Sequence, residues 1–467
     1  MDKSLTYSLQ SRWKQEGSIL RYYGLRNKEH MFENTVKLTE KQKNIIEKLP
    51  CAITDKELSV LGKLVGNAVV RTEEVRKIPK NLSEARFCAN CIANDFIIPG
   101  LEFDGNGLCP MCQTKKETEK LKSIVPIKNT FPRSKKSRFD VAVFYTGGKD
   151  STYLLYYLAK VQRLKVLALT WEIPYISDSA KKSIDAAKKM LPSVEFISRK
   201  VADSDLKLMY KRLYELSGNT CACPSLAYAL FYPELVSNKV PYFVVGNETA
   251  QIVGLYYNRM APKFAYSFAD NKTANFFINV GRVVTLRPPL KRGQFHTIAT
   301  MKQLAYGDNP LKKIFGYGNE LVSNVVESML TVPNMVKPLK RAIRISSLTG
   351  NIPVFAQVDF DEISGGKYDW KKIKSIIVKE CGWVEPEENA KGLHTSCNIE
   401  KCKEYSQFKR FYDMESDMIP FSALELAIAV RDGNAKREDA LKELDCALGF
   451  SLEEVPECAI MKEYLAK

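Results

Sequence analysis

Histidine is nearly missing from this chain, with three among 467 residues. His30 and His296 stand alone, so each reads as a surface or core residue and neither marks a site. No run of about 18 apolar residues occurs, which argues against a membrane-spanning helix. The opening MDKSLTYSLQSRW lacks an apolar h-region, so no secretory signal is expected. Two glycine patterns are also absent. Without Gly-x-x-x-x-Gly-Lys-Ser/Thr there is no Walker loop, and without Gly-x-Gly-x-x-Gly a dinucleotide site is disfavoured. There is no internal repeat and no low-complexity tract.

What is present is basic and rich in cysteine. The chain carries a net charge of +16, 45% hydrophobic residues and 12 cysteines. That apolar content is enough for real cores, and the length predicts two to four domains. The charge favours an anionic partner: an acidic carrier protein, tRNA, a nucleotide-sugar or a phospholipid head group. Because the charges are spread and not blocked, a merely solvated lysine-rich surface stays open as well. Cysteines in C-x-x-C pairs without a signal read as metal and thiol chemistry in a reducing compartment, so a cytoplasmic location is expected.

The stretch FDVAVFYTGGKDSTYLLYY, residues 139–157, organises the rest. Residues 141–144 form an apolar run with β-branched members, which predicts a buried strand. Tyr145, Thr146, Gly147, Gly148, Lys149, Asp150 and Ser151 follow. Beyond them Tyr153, Leu154, Tyr157, Leu158 and Val161 take up helical spacing. Two glycines in a strand-to-helix turn let backbone approach a ligand closely, and the helix N-terminus presents N–H groups. The hydroxyls of Thr146 and Ser151 and the Lys149 amine add donors, so the turn suits a phosphate. The alternative is a tight turn with no ligand.

Along the chain, residues 1–36 are polar and aromatic without a clear period. Thr39 with Gln42 has the form of a capping box for a helix ending before Pro50, and Thr54 begins a second helix. Residues 68–71 then read as a strand. Residues 1–86 are therefore expected to be helical, either winged-helix-like or an extension packed on the main domain. Cys88-x2-Cys91 and Cys109-x2-Cys112 follow, with Asp104-Gly105-Asn106-Gly107 as turn chemistry before the second pair. Four thiolates at this spacing satisfy tetrahedral zinc better than an iron–sulfur cluster, in a ribbon or knuckle over 87–120. Four ligands close the shell, so this site should be structural. Residues 121–138 read as a basic linker.

Strands at 141–144, 165–170, 194–198 and 242–245 alternate with helices at 179–191, 205–217 and 226–237. That alternation predicts an α/β domain over 139–300: a doubly wound parallel sheet with ligands at the strand C-termini. Residues 146–151, Thr170 with Trp171, and Gly246-Asn247-Glu248 fall at such ends. Residues 301–467 are expected to form a mainly helical C-terminal domain.

The Thr146–Ser151 stretch resembles the SGGxDS loop of the PP-loop ATP pyrophosphatases, the adenine nucleotide α-hydrolase superfamily, with Thr146 in place of the first serine. The order of zinc pairs, this loop and a helical C-terminal region resembles N-acetyl sugar amidotransferases over roughly residues 87–250. The first 86 residues depart from them. A similar order occurs in tRNA thiolation enzymes and, more distantly, in thioamide-forming enzymes. The resemblance implies ATP with Mg2+, cleavage between the α- and β-phosphates, and adenylation of an amide or carbonyl oxygen. It implies phosphate contacts from Tyr145 to Ser151, Lys149 and Asp150 as catalytic groups, and adenine near Leu169, Thr170 and Trp171, with Gly246 and Asn247 close by.

Which atom then displaces AMP rests on Cys221 and Cys223, in the loop before the 226–237 helix. A thiolate near a helix N-terminus is a good nucleophile, and either cysteine could carry a persulfide or hold an iron–sulfur cluster. Their C-x-C spacing departs from the usual C-x-x-C of thiolating enzymes, and two cysteines in a buried turn are the plainer alternative. Cys381, His394, Cys397 and Cys402 could supply a further ligand or relay, although their irregular spacing favours a structural role. The reading is replacement of oxygen by sulfur from a donor protein. The alternatives are replacement by nitrogen, with a glutaminase partner, and a non-catalytic zinc and nucleic-acid-binding module. Oligomeric state stays open.

Overall fold

The computed structural model describes residues 5–218, 222–223, 225–268, 271–308, 320–387, 398–457 and 459–466, with backbone alone at 398–401 and 460. Its centre is the predicted apolar run. Val141–Phe144 forms strand β1, followed by β2 (Val166–Glu172), β3 (Glu195–Lys200), β4 (Tyr242–Val245) and β5 (Val354–Gln357). All neighbours are parallel, in the order β5-β4-β1-β2-β3. Side chains alternate between two cores. Val141, Val143, Val166, Ala168, Val244 and Ala356 join one, while Ala142, Leu167, Leu169, Phe243 and Phe355 join the other. With both faces covered, the strands need near-continuous apolar sequence, which is why β1 and β2 stood out.

Helices Lys149–Tyr156, Asp178–Met190 and Trp370–Cys381 contribute to the first core, and Asp203–Ser217, Ser225–Ser237 and Pro333–Thr349 to the second. The α/β expectation therefore holds, with one correction. The fifth strand lies beyond residue 300, within the stretch expected to be helical. It is four residues long and follows Pro353, and only its pairing with β4 (Tyr242↔Val354, Val245↔Gln357) makes it a strand. The sheet thus crosses the boundary expected at 300. The linker also touches it: Gln357 N donates to Pro126 O (2.9–3.0 Å for this bond and its neighbour), and Lys128 N donates to Gln357 O.

The N-terminal expectation also needs correction. The helices Glu40–Ile46 and Asp55–Leu61 form with the Thr39/Gln42 and Thr54/Glu57 capping boxes, and Val69–Arg71 is a strand. Yet the region also holds two three-stranded antiparallel sheets, using Thr6–Leu9 and Cys51–Ala52 in one and Trp13–Glu16, Ile19–Tyr22 and Thr35–Lys37 in the other. Strands of two to four polar-aromatic residues give no periodic signal. Among the described residues no helix is long and apolar enough to cross a membrane.

Arg12 ties this region to the C-terminal helices. It is buried; its guanidinium donates to Tyr23 O (2.6 Å), Tyr412 O (2.6 Å) and Phe411 O, and lies over the Phe411 ring. Arg12→Ala strands these acceptors and should lower the unfolding free energy by about 3 kcal/mol. Urea denaturation measures it, and an unchanged midpoint would show that the link carries no stability.

Candidate functional site

The two C-x-x-C pairs come together. The Sγ atoms of Cys88, Cys91, Cys109 and Cys112 all lie within 4.8 Å of one another, with Cys88–Cys112 at 3.7 Å and Cys91–Cys109 at 3.6 Å. Four sulfurs bound to zinc at about 2.3 Å sit about 3.8 Å apart, so the cluster could hold a metal ion and suits zinc. Ala93 N donates to Cys91 Sγ (3.4 Å), Cys109 N to Cys88 Sγ (3.3 Å) and Asn90 Nδ2 to Cys112 Sγ (3.4 Å). Such donors favour thiolates. Asp104 Oδ1 shapes the turn before the second pair by accepting from Asn106 N and Leu108 N, both at 2.9 Å.

The C-terminal helices close over this module. Arg437 Nη1 donates to Cys88 O (2.9 Å) and Cys91 O (2.5 Å). Buried Arg431 donates to Met111 O, Thr118 Oγ1 and Tyr257 OH, each at 3.1 Å. The protein should therefore hold one zinc per chain, and Cys88→Ser should lose it and lower the thermal midpoint by roughly 5–10 °C. Metal analysis beside calorimetry checks this; complete metal loss with an unchanged midpoint would contradict it.

The Tyr145–Ser151 turn lies where the strand order reverses. Beyond β1 the chain builds β2 and β3 on one side and β4 and β5 on the other, so the switch point of the sheet lies at the C-termini of β1 and β4, where ligands of such sheets bind. Gly147 has φ +76, and a Cβ there would stand 2.7 Å from Ala180 O. Only glycine lets the turn pack this tightly on the Asp178–Met190 helix. Gly148 caps the helix Lys149–Tyr156. Thr146 Oγ1 accepts from Gly148 N (3.3 Å) and lies 3.1 Å from Ser151 Oγ, and Trp383 Nε1 donates to Gly147 O (3.1 Å). Gly246 completes the wall: a Cβ there would meet Leu154 Cδ2 at 3.3 Å and Ser151 Cα at 3.7 Å.

Lys149 is not poised beside this turn as a solvent-facing donor. Its buried Nζ is 2.7 Å from Asp150 Oδ1 and 3.7 Å from Glu248 Oε2. The Tyr368 and Trp370 rings lie 4.6 and 4.3 Å from it. Tyr368 OH donates to Asp150 Oδ1 (2.7 Å), and Trp370 Nε1 donates to Glu248 Oε2 (2.8 Å). Burial, then the Asp150 and Glu248 charges, push the Tyr368 phenol well up, so it stays a donor. Asp361 anchors the incoming segment by accepting from Thr249 Oγ1 (2.9 Å) and Tyr368 N (3.1 Å).

Several other expected residues make contacts within the fold. Tyr145 and Leu169 are buried in opposite cores, with Tyr145 N donating to Leu169 O (2.8 Å) and Thr170 Oγ1 donating to Tyr145 O (3.0 Å). Trp171 is buried with no hydrogen-bond partner for Nε1 among the described residues. Asn247 Nδ2 donates to Gln251 Oε1 (2.9 Å), and its carbonyl accepts from Gln357 Nε2. Cys223 is exposed just before the helix Ser225–Ser237, and Cys221 lies outside the described residues. The second cysteine cluster does not provide a reactive thiol at Cys381, which burial pushes up to about 12. Cys402 is disulfide-bonded, while His394 and Cys397 lie outside the described residues.

No protein-family model and no curated protein matches the chain. Sequence reasoning placed Glu248 at a ligand-bearing strand end without a role, and it missed Asp361, Tyr368, Trp370 and Trp383 beside the turn. Only the polar-aromatic composition of 359–370 hinted at the first three of these. Because Lys149 separates two carboxylates, Lys149→Ala should lower the unfolding free energy by about 3–5 kcal/mol. Chemical denaturation tests this, and a stability change below about 1 kcal/mol would show the amine to be free for a ligand.

Proposed function

We propose that this chain is an ATP-dependent enzyme that adenylates an amide or carbonyl oxygen, releases pyrophosphate, and then exchanges AMP for sulfur. The observation that carries the reading is the glycine-kinked turn Thr146–Ser151, set above β1 at the reversal of strand order and capped onto the N-terminus of the helix Lys149–Tyr156. Fixed N–H groups at such a terminus suit the triphosphate and the charge that grows on pyrophosphate as it leaves. The hydroxyls of Thr146 and Ser151 flank them. Lys149 acts one step back, holding Asp150 in place together with Tyr368. Asp150 keeps part of its side chain exposed, so it is the carboxylate to bind Mg2+, which would neutralise phosphate charge.

Adenylation turns a poor leaving oxygen into AMP. The terminal sulfur of a persulfide on Cys221 or Cys223, loaded by a donor protein, attacks the adenylated carbon and expels AMP. The thiolate of the other cysteine then attacks the inner sulfur and breaks the S–S bond to release the thio-product. This leaves a Cys221–Cys223 disulfide that an external dithiol reduces, whereas a sulfide held on an iron–sulfur cluster would attack without that redox step. The helix Ser225–Ser237 precedes parallel β4, so its N-terminus and Cys223 lie toward the edge of the sheet that carries the glycine turn. A thiolate there is favoured by the helix terminus. The zinc cluster takes no part in the chemistry, since its four thiols close the shell. An anionic substrate, whether an acidic carrier protein, tRNA or a nucleotide-sugar, fits the +16 charge.

The wild type should form AMP and pyrophosphate, and Gly148→Ala or Asp150→Ala should abolish both; ADP with inorganic phosphate would refute the reading. A Cys221→Ala/Cys223→Ala double variant should keep pyrophosphate release but make no thio-product by mass spectrometry. A wild type yielding only an amidine, with ammonium as donor, would replace sulfur by nitrogen.

A further inference from the structure

The helix Lys272–Val284 turns its polar side toward the protein. Asn279 donates from Nδ2 to Leu290 O (3.0 Å) and accepts from Leu290 N (2.7 Å). Arg282 is buried, and donates from Nε to Pro288 O (2.8 Å) and from Nη2 to Ser347 O (3.0 Å). The opposite side is apolar and bare. Phe276 is 63% exposed, Phe277 67% and Val284 77%, with Val280 and Val283 between them on one helical stripe. Leu286, in the turn that follows, is 94% exposed at φ +54, a backbone that leucine seldom adopts. Phe264 and Phe268 extend the same exposed apolar sequence. Contiguous apolar surface on this scale marks a contact with something outside the fold.

The surroundings say what that contact is. From 263 to 302 the sequence holds seven lysines and arginines against one acid, Asp270. Lys263, Lys272, Arg287 and Lys291 are all exposed. A cavity of about 770 Å³ adjoins the turn at Arg287, with Lys302 and Arg344 beside the apolar Phe295, Ile298 and Leu348. Two copies meeting through this face would bring like charges together. A nucleic acid would find rings only at the phenylalanines, and valine and leucine offer nothing to stack on. An apolar stripe rimmed by cations matches a bilayer whose head groups are anionic. At 13 residues the helix is about 20 Å long, too short to span and suited to lie in the interface.

We propose that Lys272–Val284 and the turn at Leu286 form a membrane-surface anchor for anionic lipid, with the aromatic and aliphatic stripe among the acyl chains and the rim cations at the phosphates. The test is flotation of the full chain with phosphatidylcholine vesicles and with phosphatidylcholine–phosphatidylglycerol vesicles. Binding should be confined to the anionic vesicles and should weaken with salt. A Phe277→Ser/Val284→Ser double variant should lose about tenfold or more in partitioning while melting at the wild-type temperature, since both positions are exposed. Arg287→Glu/Lys291→Glu gives a second variant, expected to weaken binding most at low salt. Absence of wild-type binding to anionic vesicles would overturn the proposal, as would full binding by the Phe277→Ser/Val284→Ser variant. A dimer seen by sedimentation that this variant abolishes, without vesicle binding, would assign the face to a second copy instead.

Discussion

One buried ammonium joins the C-terminal ends of β1 and β4. Lys149 gathers Asp150 from the turn after β1, Glu248 from the end of β4, and the rings of Tyr368 and Trp370 from a segment beyond β5. Glu248, fully buried, would be costly to bury alone, and the cation beside it offsets that cost. The two rings exclude water from the charge and supply donors to the carboxylates. The glycine turn after β1 is thereby anchored through Asp150, and its own contacts are made by backbone and hydroxyl groups.

The second organising centre is the cysteine cluster, and it works differently. Four thiols brought within 4.8 Å would repel as thiolates without a cation to share. The apolar residues of its module, Phe96, Ile97 and Met111 among them, join the first core, and the C-terminal helices brace it further through Arg431 and Arg437. Arg12 performs a similar service between the N-terminal sheets and the carbonyls of Phe411 and Tyr412. In each case one guanidinium satisfies several carbonyls at once, which suits its forked geometry.

Local pattern made much of this legible. The β1 run, the capping boxes at Thr39 and Thr54, and the C-x-x-C pairs all declare themselves within a few residues, and the structure has them. Less local features did not. β5 is a strand because β4 lies beside it, and nothing in VFAQ alone says so. The short N-terminal strands are likewise made by their partners. Lys149 read as a phosphate donor from what precedes and follows it, and the Glu248, Tyr368 and Trp370 groups that surround it come from far along the chain. Cys381, whose irregular spacing favoured a structural role, is a buried core thiol.

The pairing of β4 with β5 has a consequence for synthesis. Roughly 100 residues separate the two strands. At about 5–20 residues per second, β4 waits roughly 5–20 s after leaving the ribosome before its outer edge can be covered. An uncovered apolar edge is a template for pairing with other chains, so the nascent protein passes through an interval in which a chaperone has something to hold. Once β5 arrives, its own outer edge meets Pro126 and Lys128, residues made long before, and the sheet closes on a segment already waiting for it.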